Sequence, residues 1–338
     1  MVDQIETKPR RIAWFRWICR SVFIVMLILI VPAIQNSRAI VKLKSLDEVD
    51  FSTEPGFLLE SIPVSWQGWL YDTLGKDRLM TFETATQFDC STKTDLNDTE
   101  LALLCEFTDL KRLYVNSSEI TNAGMSHLKG LVKLEILHLN NSQVTDAGLI
   151  HLKGLTNLYE LNLSGTPVSD AGLVHLKTLK KLYWFNLDKT QVGDAGLIHL
   201  KELSNLRMLD LSDTPLSDSG LIHLPKIPKL DSIGLGGTQI TDAGLIHLNA
   251  LTKLRVLFLN DTQLSDSGLI HLKRLTNLDR LNLSSTKISD VGLIHLKGLT
   301  ILRALYLNDT QVTAAGIAQL QSDLPNCEIV YSEDAPTP

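Results

Sequence analysis

The stretch Leu155–Thr178 reads LTNLYELNLSGTPVSDAGLVHLKT, and Leu251–Arg274 repeats its pattern as LTKLRVLFLNDTQLSDSGLIHLKR. In Leu161-Asn162-Leu163, alternate side chains point to opposite faces, which predicts a short strand with one buried face. Gly172–Leu176 then changes to helical spacing and turns Leu173, Leu176 and Leu179 inward. Ser169-Asp170 stands where that helix needs an N-cap. Strand, turn and short helix therefore fit within 24 residues.

The unit recurs along the chain. Eight of the nine histidines fall at positions 127, 151, 175, 199, 223, 247, 271 and 295, always 24 apart. Nine such units run from Phe107 to Ser322. No unit can bury its leucines alone, so each must stack on its neighbours. The expected fold class is an α/β solenoid: a parallel sheet on the concave side and short helices on the convex side. The turn after each strand carries a hydroxyl, at Ser118, Ser142, Thr166, Thr190, Thr214, Thr238, Thr262, Thr286 and Thr310. Such a hydroxyl can satisfy turn backbone groups.

With its L-x-x-L-x-L half and fixed period, the chain resembles the leucine-rich-repeat superfamily. Its V-T-D-A-G-L-x-x-L half is similar to the cysteine-containing subclass seen in F-box-type proteins and bacterial relatives. The fullest likeness is to bacterial membrane-anchored proteins with tandem T-D-A-G-L-x-H-L-K-G-L-T-N-L units. The resemblance covers about two thirds of the chain. It implies the solenoid fold and says little about function.

Four segments are expected. Residues 1-41 read as a cytoplasmic tail and signal anchor, and 42-106 as a juxtamembrane region with a degenerate N-terminal cap repeat. Residues 107-322 are the nine repeats, and 323-338 a C-terminal cap strand and tail. Ser21–Ile34 is uncharged over fourteen residues. With the apolar residues of Ala13–Arg20 it predicts a transmembrane helix over 13-34, with Arg16 and Arg20 reaching to the surface. Lys8, Arg10, Arg11, Arg16 and Arg20 precede the apolar run, which keeps the N-terminus cytoplasmic and the body outside. A cleaved signal peptide, leaving a secreted body, and a soluble core helix are the alternatives.

In the cap, Leu96, Leu101 and Leu104 align with Ile120, Met125 and Leu128. Trp66, Trp69, Tyr71 and Phe82 are candidates to shield the first coil. Cys90 and Cys105 form a possible disulfide closing one coil, if the compartment is oxidising. Leu324, Cys327, Ile329 and Val330 read as a last edge strand, and Glu333–Pro338 as a polar tail.

Charge narrows the function classes. The chain carries 32 basic and 38 acidic residues, for a net charge of −6. Residues 1–38 hold six of the former and two of the latter, which leaves the body at −10. An acidic body argues against nucleic-acid partners, which require a basic footprint. No nucleotide loop, nucleophile elbow or H-E-x-x-H motif occurs in the sequence. No enzyme activity, cofactor or metal is assigned. Convex neighbours about 8–10 Å apart keep the histidine column from chelating one ion, so a structural place beside the helix is favoured. The column Asp146, Asp170, Asp194, Asp218, Asp242, Asp266 and Asp290 reads as helix-start residues favoured by the macrodipole, with calcium the lesser reading. Gly234-Leu235-Gly236-Gly237 reads as a bare patch of sheet.

The expected role is protein binding through the concave surface, by a membrane-anchored, extracytoplasmic module whose partner is a protein or other macromolecule. An F-box-like cytosolic adaptor, docking a helical partner through residues 62–79, is one alternative. A structural cell-envelope spacer is another. Entering each strand, the column Lys111, Glu135, Tyr159, Tyr183, Arg207, Asp231, Arg255, Asp279 and Arg303 alternates in sign over its last five members. Tyr159 and Tyr183 break that alternation, and Trp184 follows. His138 and Met208 flank them on the same surface. These five residues form the candidate partner-binding patch, since large rigid aromatics are typical anchors. Phe258 and Tyr306 are the second candidate.

Overall fold

The computed structural model describes residues 96–102, 107–117 and 119–332 in full, and the backbone of two earlier strands, Asp50–Glu54 (β1) and Thr84–Cys90 (β2). The chain divides into two compact units, Met1–Thr86 and Gln87–Pro338. β1 and the first residues of β2 are the described part of the first unit. The proposed membrane helix 13-34, residues 62–79, the aromatics at 66, 69, 71 and 82, and the tail from Glu333 lie outside the described residues. So do Cys105 and the side chain of Cys90, the possible disulfide. Among the described residues, no helix is long and apolar enough to cross a membrane.

In the second unit the strands follow one another at the repeat spacing. After β2 come Arg112–Val115 (β3), Ile136–His138 (β4), Glu160–Asn162 (β5), Trp184–Asn186 (β6) and Met208–Asp210 (β7). Ser232–Gly234 (β8), Val256–Phe258 (β9), Arg280–Asn282 (β10), Ala304–Tyr306 (β11) and Glu328–Val330 (β12) complete the series. From β2 onward each strand pairs in parallel with the next, in chain order and at constant register. This is an open parallel sheet with short helices, the leucine-rich-repeat solenoid that the 24-residue spacing implies.

Alternation decides which residues fill the core. Leu163, Leu187, Leu211 and Leu235, at the exit of four successive strands, are fully buried, as are Leu173, Leu176 and Leu179 on the helical half. Leu96 and Leu101, in the cap, are buried as well. At the far end Leu324 and Cys327 are buried, while Ile329 and Val330 of β12 are half-buried.

Each strand leads into a turn that the backbone makes at a cost. Positions 141, 165, 189, 213, 237, 261, 285 and 309 all have φ between 51° and 68°. Gly165 and Gly237 take this left-handed conformation freely; at the other six a side chain pays for it. The next residue repays part of that cost. From Thr166 to Thr310, seven buried threonines donate Oγ1 to the carbonyl three residues back, at 2.6–2.7 Å. Ser142, which takes this place one coil earlier, is buried with its Oγ unpaired.

The aspartate column does more than start helices. Asp218 Oδ1 accepts the backbone N–H of Thr241 at 2.8 Å, and its Oδ2 accepts Thr241 Oγ1 at 2.6 Å. Asp146, Asp194, Asp242, Asp266 and Asp290 make the same pair of bonds to a Ser or Thr of the following coil. Each carboxylate thus staples one coil to the next. The expected cap differs at Ser169, which sits at the N-cap position, donates its hydroxyl to Asp146 and accepts no cap hydrogen bond. Ser289 and Thr313 do both: each donates to the preceding aspartate and accepts a backbone N–H of its own helix. The staple also explains the recurring glycine two residues after each aspartate. A Cβ at Gly172 would stand 2.5 Å from Asp146 Oδ1, so only glycine admits the neighbouring carboxylate.

The helical halves are tight and variable. Asp146–Leu149 is one α-turn followed by a 3-10 turn, Ile150–Leu152, whereas Gly220–Lys226, Gly244–Ala250 and Gly268–Arg274 are wholly 3-10. The last helix, Ala314–Asp323, is α-helical over ten residues. A 3-10 turn gains more length per residue, so a short segment can span the coil.

Candidate protein-binding face

Two N–H groups at each strand entrance converge on one carbonyl of the preceding coil. Tyr183 N and Trp184 N both donate to Tyr159 O, at 2.9 and 3.2 Å. This pattern leaves the entrance side chain at the rim and projects the first strand residue from the sheet face. The outward faces of β4 to β7 therefore present Ile136 and His138, Glu160 and Asn162, Trp184 and Asn186, and Met208 and Asp210. All eight are half-buried.

The five residues singled out in the sequence fall into two neighbouring groups. At the rim, the Tyr159 and Tyr183 rings stack at 4.9 Å between centroids and 14° between planes. The Arg207 guanidinium lies 6.0 Å from the Tyr183 centroid. On the sheet face, His138 lies 5.5 Å from the Trp184 ring at a 40° tilt, and Met208 is the register partner of Trp184. His138 Nε2 is 3.8 Å from Glu160 Oε2. Tyr159 is 43% exposed, so the rim keeps aromatic surface in water.

Sequence reasoning missed Tyr114, which meets His138 edge-on at 4.9 Å and 88°. The signal was present, since Tyr114 stands one period before His138 in the same strand column. It also missed Lys181, Asn205 and Lys229, which join Tyr159, Tyr183 and Arg207 around a shallow depression of about 340 Å³. Phe258 and Tyr306 lie two strands apart, with Asn282 of β10 between them. They do not form a comparable group.

From Arg207 to Arg303 the entrance column is a ladder of paired charge. Arg207 reaches Asp231 at 3.0 Å, and Asp279 takes both Arg255 at 3.4 Å and Arg303 at 3.5 Å. Exposed pairs of this kind contribute little individually. At the exit side, burial raises the Asp188 carboxyl above its ordinary range; Lys189 opposes this, and Asp210 and Asp213 add to it. The glycine patch is not bare. A Cβ at Gly234 would fall 2.4 Å from Asp210 Oδ1, and one at Gly236 2.7 Å from Asn260 Oδ1. Polar side chains of adjacent coils already lie over these two glycines.

The helical side supplies no comparable chemistry. Among the described residues, no group of three or more His, Cys, Asp or Glu residues is placed to hold a metal ion. His223 and His295 each bury Nδ1 without a partner, and burial is the main cause lowering both pKa values. Ile150, Ile198, Ile222, Ile246, Ile270 and Ile294 form a half-exposed column beside the histidines.

Comparison with known proteins bears on the fold. A family model described as "Leucine rich repeat" matches residues 108–168, and a second of the same description matches 202–224 and 274–296. No curated protein matches the chain. Among solved structures, the chain is similar to an internalin (inlF) from Listeria monocytogenes. The identity is 20%, 82% of this chain and 97% of that one are covered, and the TM-score is 0.43. It is also similar to an internalin C2 (inlC2) from the same organism, at 25% identity, 62% and 84% coverage, and a TM-score of 0.45. The family models fall on coils that the structure builds as strand, turn and short helix at a 24-residue period, and the chain is a leucine-rich-repeat protein.

Proposed function

We propose that the chain is a membrane-anchored, extracytoplasmic protein-binding module, and that its partner docks on the strand face around β4 to β7. The observation that carries this reading is the convergence of Tyr159, Tyr183, Trp184, His138 and Met208 on one stretch of a surface whose entrance column from Arg207 to Arg303 pairs its own charges. Strands about 4.8 Å apart and helices about 8–10 Å apart bend such a stack with its strands inward. The strand face then becomes an extended concave surface, the one solenoids use for binding. The role is recognition rather than catalysis, and no residue is assigned to a reaction. The N-terminal segment supports the placement, because five basic residues before the apolar run hold that end in the cytoplasm.

The test is made in intact cells with the full chain. A photoreactive phenylalanine analogue at Tyr159 should trap a protein, while the same group at Ile222 on the helical side should not. Added protease should remove the repeats without lysis. Repeats digested only after lysis would favour the cytosolic adaptor. Trapping at neither position would favour the envelope spacer.

A further inference from the structure

We infer that the rim depression beside the aromatic patch is an anion site, and that the partner segment it takes is an acidic stretch of polypeptide. This rests on the binding face proposed above and names the chemistry of what enters it.

Two lysines are the reason. Lys181 Nζ donates to Asn157 Oδ1 at 2.7 Å, and Lys229 Nζ donates to Asn205 Oδ1 at 2.6 Å. Each asparagine is fixed in turn through Nδ2, Asn157 to Val132 O at 2.9 Å and Asn205 to Lys180 O at 2.7 Å. The two ammonium groups are held in place, yet by neutral amides. Among the described residues neither has a carboxylate partner. Two coils earlier in the same column, Lys133 pairs with Asp109 and its charge is answered. Next to Lys181, Lys180 pairs with Glu202 at 3.0 Å. Lys181 and Lys229 are thus positioned but not neutralised, on a body whose net charge is −10.

Arg207 sits between them. It gives one nitrogen to Asp231, and its fork of five N–H groups leaves others to spare. Three cations and one carboxylate leave this rim positive. Side-chain order bought beforehand lowers the entropy cost of binding a carboxylate.

The aromatic geometry favours a peptide over a sugar acid. A sugar ring needs an open aromatic face. Tyr183 has Tyr159 stacked on it and the Arg207 guanidinium 6.0 Å from its centroid, so it offers chiefly its edge and hydroxyl, and Tyr159 alone keeps a largely exposed ring. Edges, hydroxyls and cations suit acidic side chains and backbone carbonyls. The Trp184 and Met208 surface alongside takes the apolar residues between them.

The experiment pans a phage-displayed library of random twelve-residue peptides on the immobilised full chain in detergent. It is repeated on Lys181→Gln/Lys229→Gln and on Trp184→Ala. On the unaltered chain we expect selected peptides at least twofold enriched in Asp and Glu over the starting library. Their binding should weaken at least fivefold between 50 and 300 mM salt, as screening requires. On the double lysine variant the acidic enrichment should disappear, while circular dichroism and thermal midpoint stay unchanged. Neutral or basic selected peptides, or acidic enrichment indifferent to both lysines, would overturn the inference. Selection lost on Trp184→Ala but untouched by the lysine variant would overturn it and leave the binding face standing. Failure to select any peptide would sink both readings. Polygalacturonate binding that depends on the two lysines, with no acidic peptide selected, would assign the site to a glycan and overturn the inference as well.

Discussion

At the scale of single residues, the coils are held by side chains that reach across to the next, the Asn122 amide and then the aspartates from Asp146 to Asp290. The staple shows one natural gap. Asp170 accepts Gly193 N at 2.6 Å, but Gly193 has no hydroxyl to offer its second oxygen. A Cβ at Gly193 would find its nearest neighbour, Asp170 Oδ2, at 3.7 Å, so a side chain fits. Gly193→Ser should therefore raise stability by about 1 kcal/mol, through one hydrogen bond and a less flexible unfolded chain. A urea midpoint that falls instead would remove the staple from the account. Leu211 is fully buried at the exit of β7. Leu211→Ala should cost about 2–5 kcal/mol in the same measurement. A loss under about 0.5 kcal/mol, the range of surface changes, would put the strand register in error.

At the scale of the element, pH separates the helical side from the staples. Burial lowers the pKa of His223 and of His295 in the folded chain, where their Nδ1 atoms are unpaired. Their folded pKa values lie below the unfolded value of about 6.5, so the unfolded chain takes up protons first as pH falls. The stability they contribute is complete above about pH 6.5 and is lost as pH drops through their folded values. For Asp194 and Asp242, burial pushes the carboxyl up. Hydrogen bonds from Ser217 and Ser219, and from Ser265 and Ser267, outweigh it and lower the pKa. Their contribution is complete above about pH 3.9 and is lost only below it. The thermal midpoint should fall between pH 7.5 and 5.5, and His223→Gln/His295→Gln should flatten that fall. Parallel curves for the two proteins would show that these histidines do not couple to folding.

The elements also show what the sequence could and could not tell. Alternating Leu-x-Leu named the strands and their buried face, and the 24-residue histidine spacing set the register. Both are local patterns repeated many times. The staple was hidden because its partners are 23 residues apart, and the aspartate alone looks like any helix-start acid. Ser142 fits the hydroxyl column in sequence but leaves its oxygen unpaired, which only coordinates can reveal. At the candidate site the column reading gathered Tyr159, Tyr183 and Trp184. It passed over Lys181 and Lys229 because a lysine's charge counts only when its neighbours are known.

At the scale of the whole molecule, the solenoid separates two tasks. Buried leucines, threonine hydroxyls and aspartate staples build the stack and are spent in doing so. The outward side chains of the strands are not spent on the core, and Trp184 and His138 on the sheet face lie beside the stacked rim pair Tyr159 and Tyr183. Hot spots in such faces are few, large and central, so truncating one aromatic should cost more than 1 kcal/mol of affinity. The most direct measurement is the affinity of the photo-trapped partner for the full chain, compared with Trp184→Ala and Ile222→Ser. We predict that Trp184→Ala weakens binding about tenfold or more, while Ile222→Ser leaves it unchanged and both variants keep their thermal midpoints. Binding that survives Trp184→Ala and is lost with Ile222→Ser would place the partner on the helical side and contradict the account.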